Sequence, residues 1–101
     1  MENLKEIEAL NIQGEQAEVS HRWLRWQKSF RRYYIASGLN KKGKEVQSNT
    51  FLHLIGEDAA DIYETFTFKQ EGDEKEDKDD IDTIIAKYES LFNPQKRITY
   101  L

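Results

Sequence analysis

Arg22, Arg25, Lys28 and Arg32 recur at three- and four-residue steps, the spacing that gathers cationic side chains on one side of a helix, and Lys41 and Lys42 follow in the next loop. Guanidinium and ammonium groups arranged this way hold phosphate or carboxylate oxygens, so anion contact is the chemistry this pattern offers. Its ordinary alternative is a solvated helix face that keeps the chain dispersed. Between Glu18 and Glu45 the chain carries eight Lys and Arg and no acid, whereas Glu71 to Asp80 holds seven acids against two lysines. Net charge is −4. A chain so divided favours attraction between unlike faces of neighbouring copies, or an anionic partner.

Little else in the composition is equipped for reaction chemistry. His21 and His53 are the two histidines, and there is no cysteine. No Ser/His/Asp order, H-E-x-x-H, phosphate-cradling glycine loop or dinucleotide fingerprint occurs. Both histidines read as surface or boundary residues. The acidic stretch lacks the spacing of a calcium loop, its glycine coming too early. The expectation is a protein that is not an enzyme, with no catalytic residue, metal ligand or cofactor. Without cysteine, disulfides and thiolate zinc sites are excluded within this chain. The opening Met-Glu-Asn-Leu-Lys-Glu has no basic segment leading into an apolar core, and no long uncharged apolar run follows, so the expectation is a soluble, non-secreted protein with no membrane partner.

The elements that position these charges follow from apolar periodicity. At 101 residues and 38% apolar content the chain supports one small domain. Residues 1–18 read as a polar N-terminal arm, 19–94 as a helical lobe, and 95–101 as the start of a linker or of a following element cut short. The first helix is expected from about Val19 or Ser20 to Ser37, closed by Gly38. Its apolar stripe is Val19, Trp23, Trp26, Phe30, Tyr33 and Tyr34, with the cations largely opposite. Rings on one face and cations on the other argue for core packing over base stacking, which needs the two interleaved. Leu24 and Ile35 fall outside the stripe and mark a second, smaller contact surface.

A second helix is expected over about Glu45 to Ile55 and a third over about Asp58 to Phe66, meeting at Gly56. Their stripes are Val46, Thr50, Phe51, Leu54 and Ile55, then Ala59, Ile62, Tyr63 and Phe66. The fourth helix begins near Asp79 or Asp80, a carboxylate cap, carries Ile81, Ile84, Ile85, Tyr88, Leu91 and Phe92, and stops at Asn93-Pro94. The expected fold is an all-α bundle of four to five short helices. Its expected core is Trp23, Trp26, Phe30, Tyr33, Phe51, Leu54, Ile55, Ile62, Phe66, Ile84, Tyr88 and Leu91.

Phe51 to Phe66, FLHLIGEDAADIYETF, resembles a recurrent run in the capsid region of Gag from gypsy-type long-terminal-repeat retrotransposons. Leu10-Asn11, Gly14, the Trp23-x-x-Trp26-x-x-x-Phe30-x-x-Tyr33 spacing and Ala36-Ser37-Gly38-Leu39 resemble the opening of that module. Thr65-Phe66-Thr67-Phe68, Lys87-Tyr88, Phe92-Asn93-Pro94-Gln95-Lys96 and Thr99-Tyr100 are similar to its close. The resemblance covers roughly residue 10 to the C-terminus. It implies the N-terminal lobe of a retroviral-type capsid, which tiles with a C-terminal lobe into a cytoplasmic, virus-like shell around RNA. The assembly or anion contacts would then be Arg22, Arg25, Lys28, Arg32, Lys41, Lys42, Leu24 and Ile35, with the acidic loop facing a neighbour's basic surface. Partners implied are other copies in a lattice and RNA, held weakly and through a region outside this chain. Host-captured relatives, such as the neuronal protein Arc, imply a peptide-docking alternative, with a groove beside helices two to four that accepts an extended segment, including this chain's own Leu10 to Ile12. A third reading is weak RNA binding through the basic face of helix one.

Overall fold

The computed structural model describes residues 7–72 and 75–94, and these form an all-helical bundle with no strand among them. Four helices follow one another: α1 (Gln16–Ala36), α2 (Lys44–Ile55), α3 (Glu57–Tyr63) and α4 (Ile81–Phe92). A short 3₁₀ turn, Leu39–Lys41, joins α1 to α2. The segment 95–101, where the sequence places a linker or following element, lies outside the described residues.

Helix α1 starts a turn earlier than the apolar period indicates. Glu15 precedes it in extended backbone, and its N–H donates to Glu18 Oε1 at 3.2 Å, so a polar first turn forms before the first buried residue, Val19. Gly38, at φ 81°, turns the chain out of α1 in the left-handed region, and the Ser37 and Gly38 amides close on Tyr33 and Ile35 carbonyls. Helix α3 ends at Tyr63, short of Phe66. The amides of Glu64, Thr65 and Phe66 reach back only three residues, to Asp61, Ile62 and Tyr63, and this tighter winding carries the chain off the helix. Asp80 caps α4, accepting from the Thr83 amide at 3.0 Å.

The core is largely aromatic. Trp23, Trp26 and Phe30 stack in sequence along α1, and Phe51 of α2 meets both Trp26 and Phe30 edge-on, at 5.4 and 5.0 Å between ring centres. Tyr88 of α4 then touches Phe51, Phe66, Phe92 and Trp23. The polar handles of these rings are satisfied: Trp23 Nε1 donates to Glu89 Oε1 at 2.7 Å, Trp26 Nε1 to the Glu8 carbonyl at 2.9 Å, and Tyr88 Oη to the Ala59 carbonyl at 2.7 Å. Burial raises the Tyr88 phenol well above its ordinary range.

Of the expected core, Trp23, Trp26, Phe30, Phe51, Leu54, Ile55, Ile84 and Tyr88 are buried, and Tyr33, Ile62 and Phe66 pack half-buried against them. Leu91 is a correction. It is 44% exposed, because it sits on the flank of the α4 stripe in the last turn, where no neighbouring element covers it. Val46 is likewise 50% exposed, and the inward position of that turn goes to Ser48, whose Oγ donates to the Glu45 carbonyl. The α2 stripe is centred on Ser48, Phe51, Leu54 and Ile55, which places Val46 on the far side of the helix.

Candidate interaction surface

The described part of the arm, from Ile7 onward, is not detached. Leu10 is buried, and its amide donates to the Ile55 carbonyl at 2.9 Å. That carbonyl is one that α2 leaves unpaired at its C-terminal end, so the arm caps the helix. Glu8 accepts from Trp26, while Ile7 and Ile12 pack against the core. The arm thus lies across α1 and the α2–α3 corner, whereas the groove anticipated for it lay beside helices two to four.

Arg22, expected to present its charge outward, is instead a clamp for this arm. Its Nη1 donates to the Asn11 carbonyl at 3.0 Å and the Gln13 carbonyl at 2.5 Å, and its Nη2 lies 3.7 Å from Glu18 Oε1. It is therefore occupied within the chain and leaves the anion-contact set. One guanidinium nitrogen thus serves two carbonyls two residues apart, while the other reaches toward Glu18.

Arg25, Lys28 and Arg32 remain exposed on the outer side of α1 and make no ion pair among the described residues. Arg31 lies 3.9 Å from Asp82 of α4. Lys41 and Lys42 are exposed in the 3₁₀ turn and at its end. Leu24 and Ile35, 40% and 64% exposed, are one behind the other along α1, three turns apart, with Lys28 and Arg31 between them. An apolar pair bordered by cations thus lies along the C-terminal part of the outer face of α1.

The acidic loop is held to its own molecule in part. Lys44 Nζ meets Asp77 Oδ2 at 2.5 Å, and Lys87 Nζ meets Glu76 Oε1 at 2.9 Å. Glu76 also accepts from the Lys69 amide, Asp77 from the Asp79 amide, and Tyr63 Oη donates to the Lys78 carbonyl. Hydrogen bonding from the Lys69 amide and Lys87 lowers the Glu76 carboxyl, and that from Lys44 and the Asp79 amide lowers Asp77. The same Asp77 contact raises Lys44. Among the described acids of this stretch, Glu76 and Asp77 pair with lysines and Asp80 caps α4, which weakens it as the surface a neighbour's cations would meet.

No protein-family model, curated protein or solved structure matches this chain. Its surface must therefore be read from its own geometry. His21 and His53 are both exposed, and no cluster of His, Asp and Glu able to hold a metal ion occurs among the described residues. No helix among them is long and apolar enough to cross a membrane.

A second charged feature was missed in the sequence. Glu57, Asp58, Asp61 and Glu64 are all exposed along α3 and its end. The helix dipole accounts for Glu57 and Asp58 in the first turn of α3 but not for Asp61 and Glu64. The spacing 57, 61, 64 carried the signal of a single ridge.

Proposed function

We propose that this chain is a capsid lobe of the gypsy-type Gag kind, a structural module that assembles through repeated weak contacts with other copies and with a C-terminal lobe into a shell around RNA. One observation carries the reading: the separated sequence pieces that bear the resemblance are the pieces that meet in the fold. Leu10 bonds to Ile55, Trp26 stacks against Phe51, Trp23 packs on Tyr88 and Phe92, and Phe66 lies edge-on to Tyr88. Those contacts give the run around Gly56 and the flanking pieces a shared structural reason to occur together. The exposed outer face of α1 and the α3 ridge are then surfaces for neighbours, and no catalytic role is assigned. Cytoplasmic particles are the expected location.

The test joins this chain to the C-terminal capsid lobe of a gypsy-type Gag and measures sedimentation and electron-microscopic appearance. Shells that protect RNA from nuclease are the expected result. A strict monomer at millimolar concentration overturns the reading.

A second reading has its own observation. The arm packs on the bundle in non-helical form, its Leu10 amide donating to Ile55 and its Glu8 carbonyl accepting from Trp26, so a host-captured lobe would accept an extended peptide of another protein there. Removing residues 1–13 and titrating the synthetic arm peptide back tests it. Failure of the peptide to rebind removes that reading. Weak RNA contact through Arg25, Lys28, Arg32, Lys41 and Lys42 is a third, and it requires binding that collapses with salt.

A further inference from the structure

Two ridges of opposite charge and equal pitch lie on different helices. Arg25, Lys28 and Arg32 recur at i, i+3 and i+7 on α1, and Glu57, Asp61 and Glu64 recur at i, i+4 and i+7 along α3 and the residue that ends it. All six are exposed, and none makes an ion pair among the described residues. At about 1.5 Å per residue each ridge is about 10.5 Å long. Helix α1 packs against α4 and the 3₁₀ turn, and α3 against α2, so the ridges are not packed on each other within one molecule.

We propose that the α1 ridge of one copy docks on the α3 ridge of the next, a head-to-tail contact between copies of this chain. The inference deepens the capsid reading and rests on it, since it names the surfaces through which neighbours meet. Charge complementarity selects the occupant. Nucleic acid would satisfy the cations, but it is opposed by the net charge of −4 and leaves the α3 ridge without a partner. A second copy satisfies both ridges at once. Lys28 also borders Leu24 and Ile35, so apolar side chains lie at the edge of the contact. Because the two patches differ, each added copy presents a fresh ridge, and the contact propagates into a ring or an open row. Exposed ion pairs are individually weak, so one contact alone dissociates readily and repetition holds the array.

Sedimentation of the whole chain across concentration, at about 20 mM and about 0.5 M salt, tests the contact. The expected result is a mass that rises with concentration at low salt and returns to the monomer at high salt. Arg25→Glu, Lys28→Glu and Arg32→Glu together should weaken association by about tenfold or more, and Glu57→Lys, Asp61→Lys and Glu64→Lys together by a similar factor. Mixed in equal amounts, the two variants should recover wild-type association, because each reversed ridge then faces a reversed complement. A mixture that stays dispersed, a triple variant that associates like the wild type, or a wild type with no concentration dependence at low salt overturns the proposal. So does loss of retention on homopolymeric RNA in the α1 variant with self-association unchanged, which would assign the ridge to nucleic acid. Circular dichroism matching the wild type shows that the variants fold. Particles that form normally from the longer chain carrying either triple variant would remove this contact and leave the capsid reading standing. Failure of the wild-type longer chain to form particles removes the capsid reading itself.

Discussion

Gly56 and Ala9 approach so closely where the arm crosses the α2–α3 corner that a β-carbon on the glycine would lie 2.6 Å from the Ala9 methyl carbon. The glycine backbone there, at φ 100° and ψ 157°, lies in a region essentially closed to residues with side chains. Two constraints thus act on one position. Gly56→Ala should destabilise the fold by about 2 kcal/mol or more, measured by denaturant unfolding. Combining it with Ala9→Gly should recover only the steric part, so full recovery would show that the backbone conformation costs nothing.

The Arg22 clamp predicts coupling between a surface arginine and a distant amide. Arg22→Ala should cost about 1 kcal/mol and raise the hydrogen-exchange rate of the Leu10 amide, which bonds to Ile55, while the amides of α4 keep their protection. Arg22→Lys keeps the charge but has one nitrogen in place of the two that meet the carbonyls and Glu18, and should leave Leu10 less protected. Unchanged exchange at Leu10 in both variants would refute the clamp.

Tyr88→Phe keeps the ring packing and removes one hydroxyl, leaving the Ala59 carbonyl without its donor. The expected loss is about 1 to 3 kcal/mol. Phe51→Ala, which removes a fully buried ring, should cost about 3 to 5 kcal/mol. The wild-type Tyr88 phenol, raised by burial, should not ionise in the ordinary tyrosine range by ultraviolet titration while the chain stays folded.

The ion contacts of the acidic loop set a pH window. Glu76 and Asp77 are lowered from ordinary values of 4.5 and 3.8, so their contribution is complete above those values and is lost as pH falls through the lowered ones. Lys44 is raised from 10.5, so its contribution is complete below that value and is lost as pH rises beyond the raised one. Amide exchange across residues 75–80, corrected for its intrinsic pH dependence, should therefore be slow between these limits and quicken on acidification below them. Asp77→Asn should remove its own part of that dependence and leave the part due to Glu76, and a flat profile in the wild type would show that the loop is not held by these pairs.

Leu24→Asp and Ile35→Asp replace exposed side chains and should change stability by about 0.5 kcal/mol or less. Thermal unfolding checks that expectation. In particle assays of the longer chain, both should lower yield. Normal yield would mean that the outer apolar pair is ordinary surface.

Periodicity along the chain was enough to determine the helical class, the aromatic interior of α1, the Gly38 closure, a carboxylate cap at Asp79 or Asp80 and the glycine corner, because each depends on residues within a turn or two of one another. Tertiary structure alone decided the rest. Arg22 belongs to the arm because two carbonyls, nine and eleven residues away, come within reach of its guanidinium. Leu91 follows the apolar rhythm yet stays exposed, since burial requires a neighbour as well as a period. Asp77 and Glu76 bond to Lys44 and Lys87 only once the loop has folded back against α2 and α4. A local pattern specifies which way a side chain leaves its helix. What it meets there depends on segments distant in sequence, and so does its part in function.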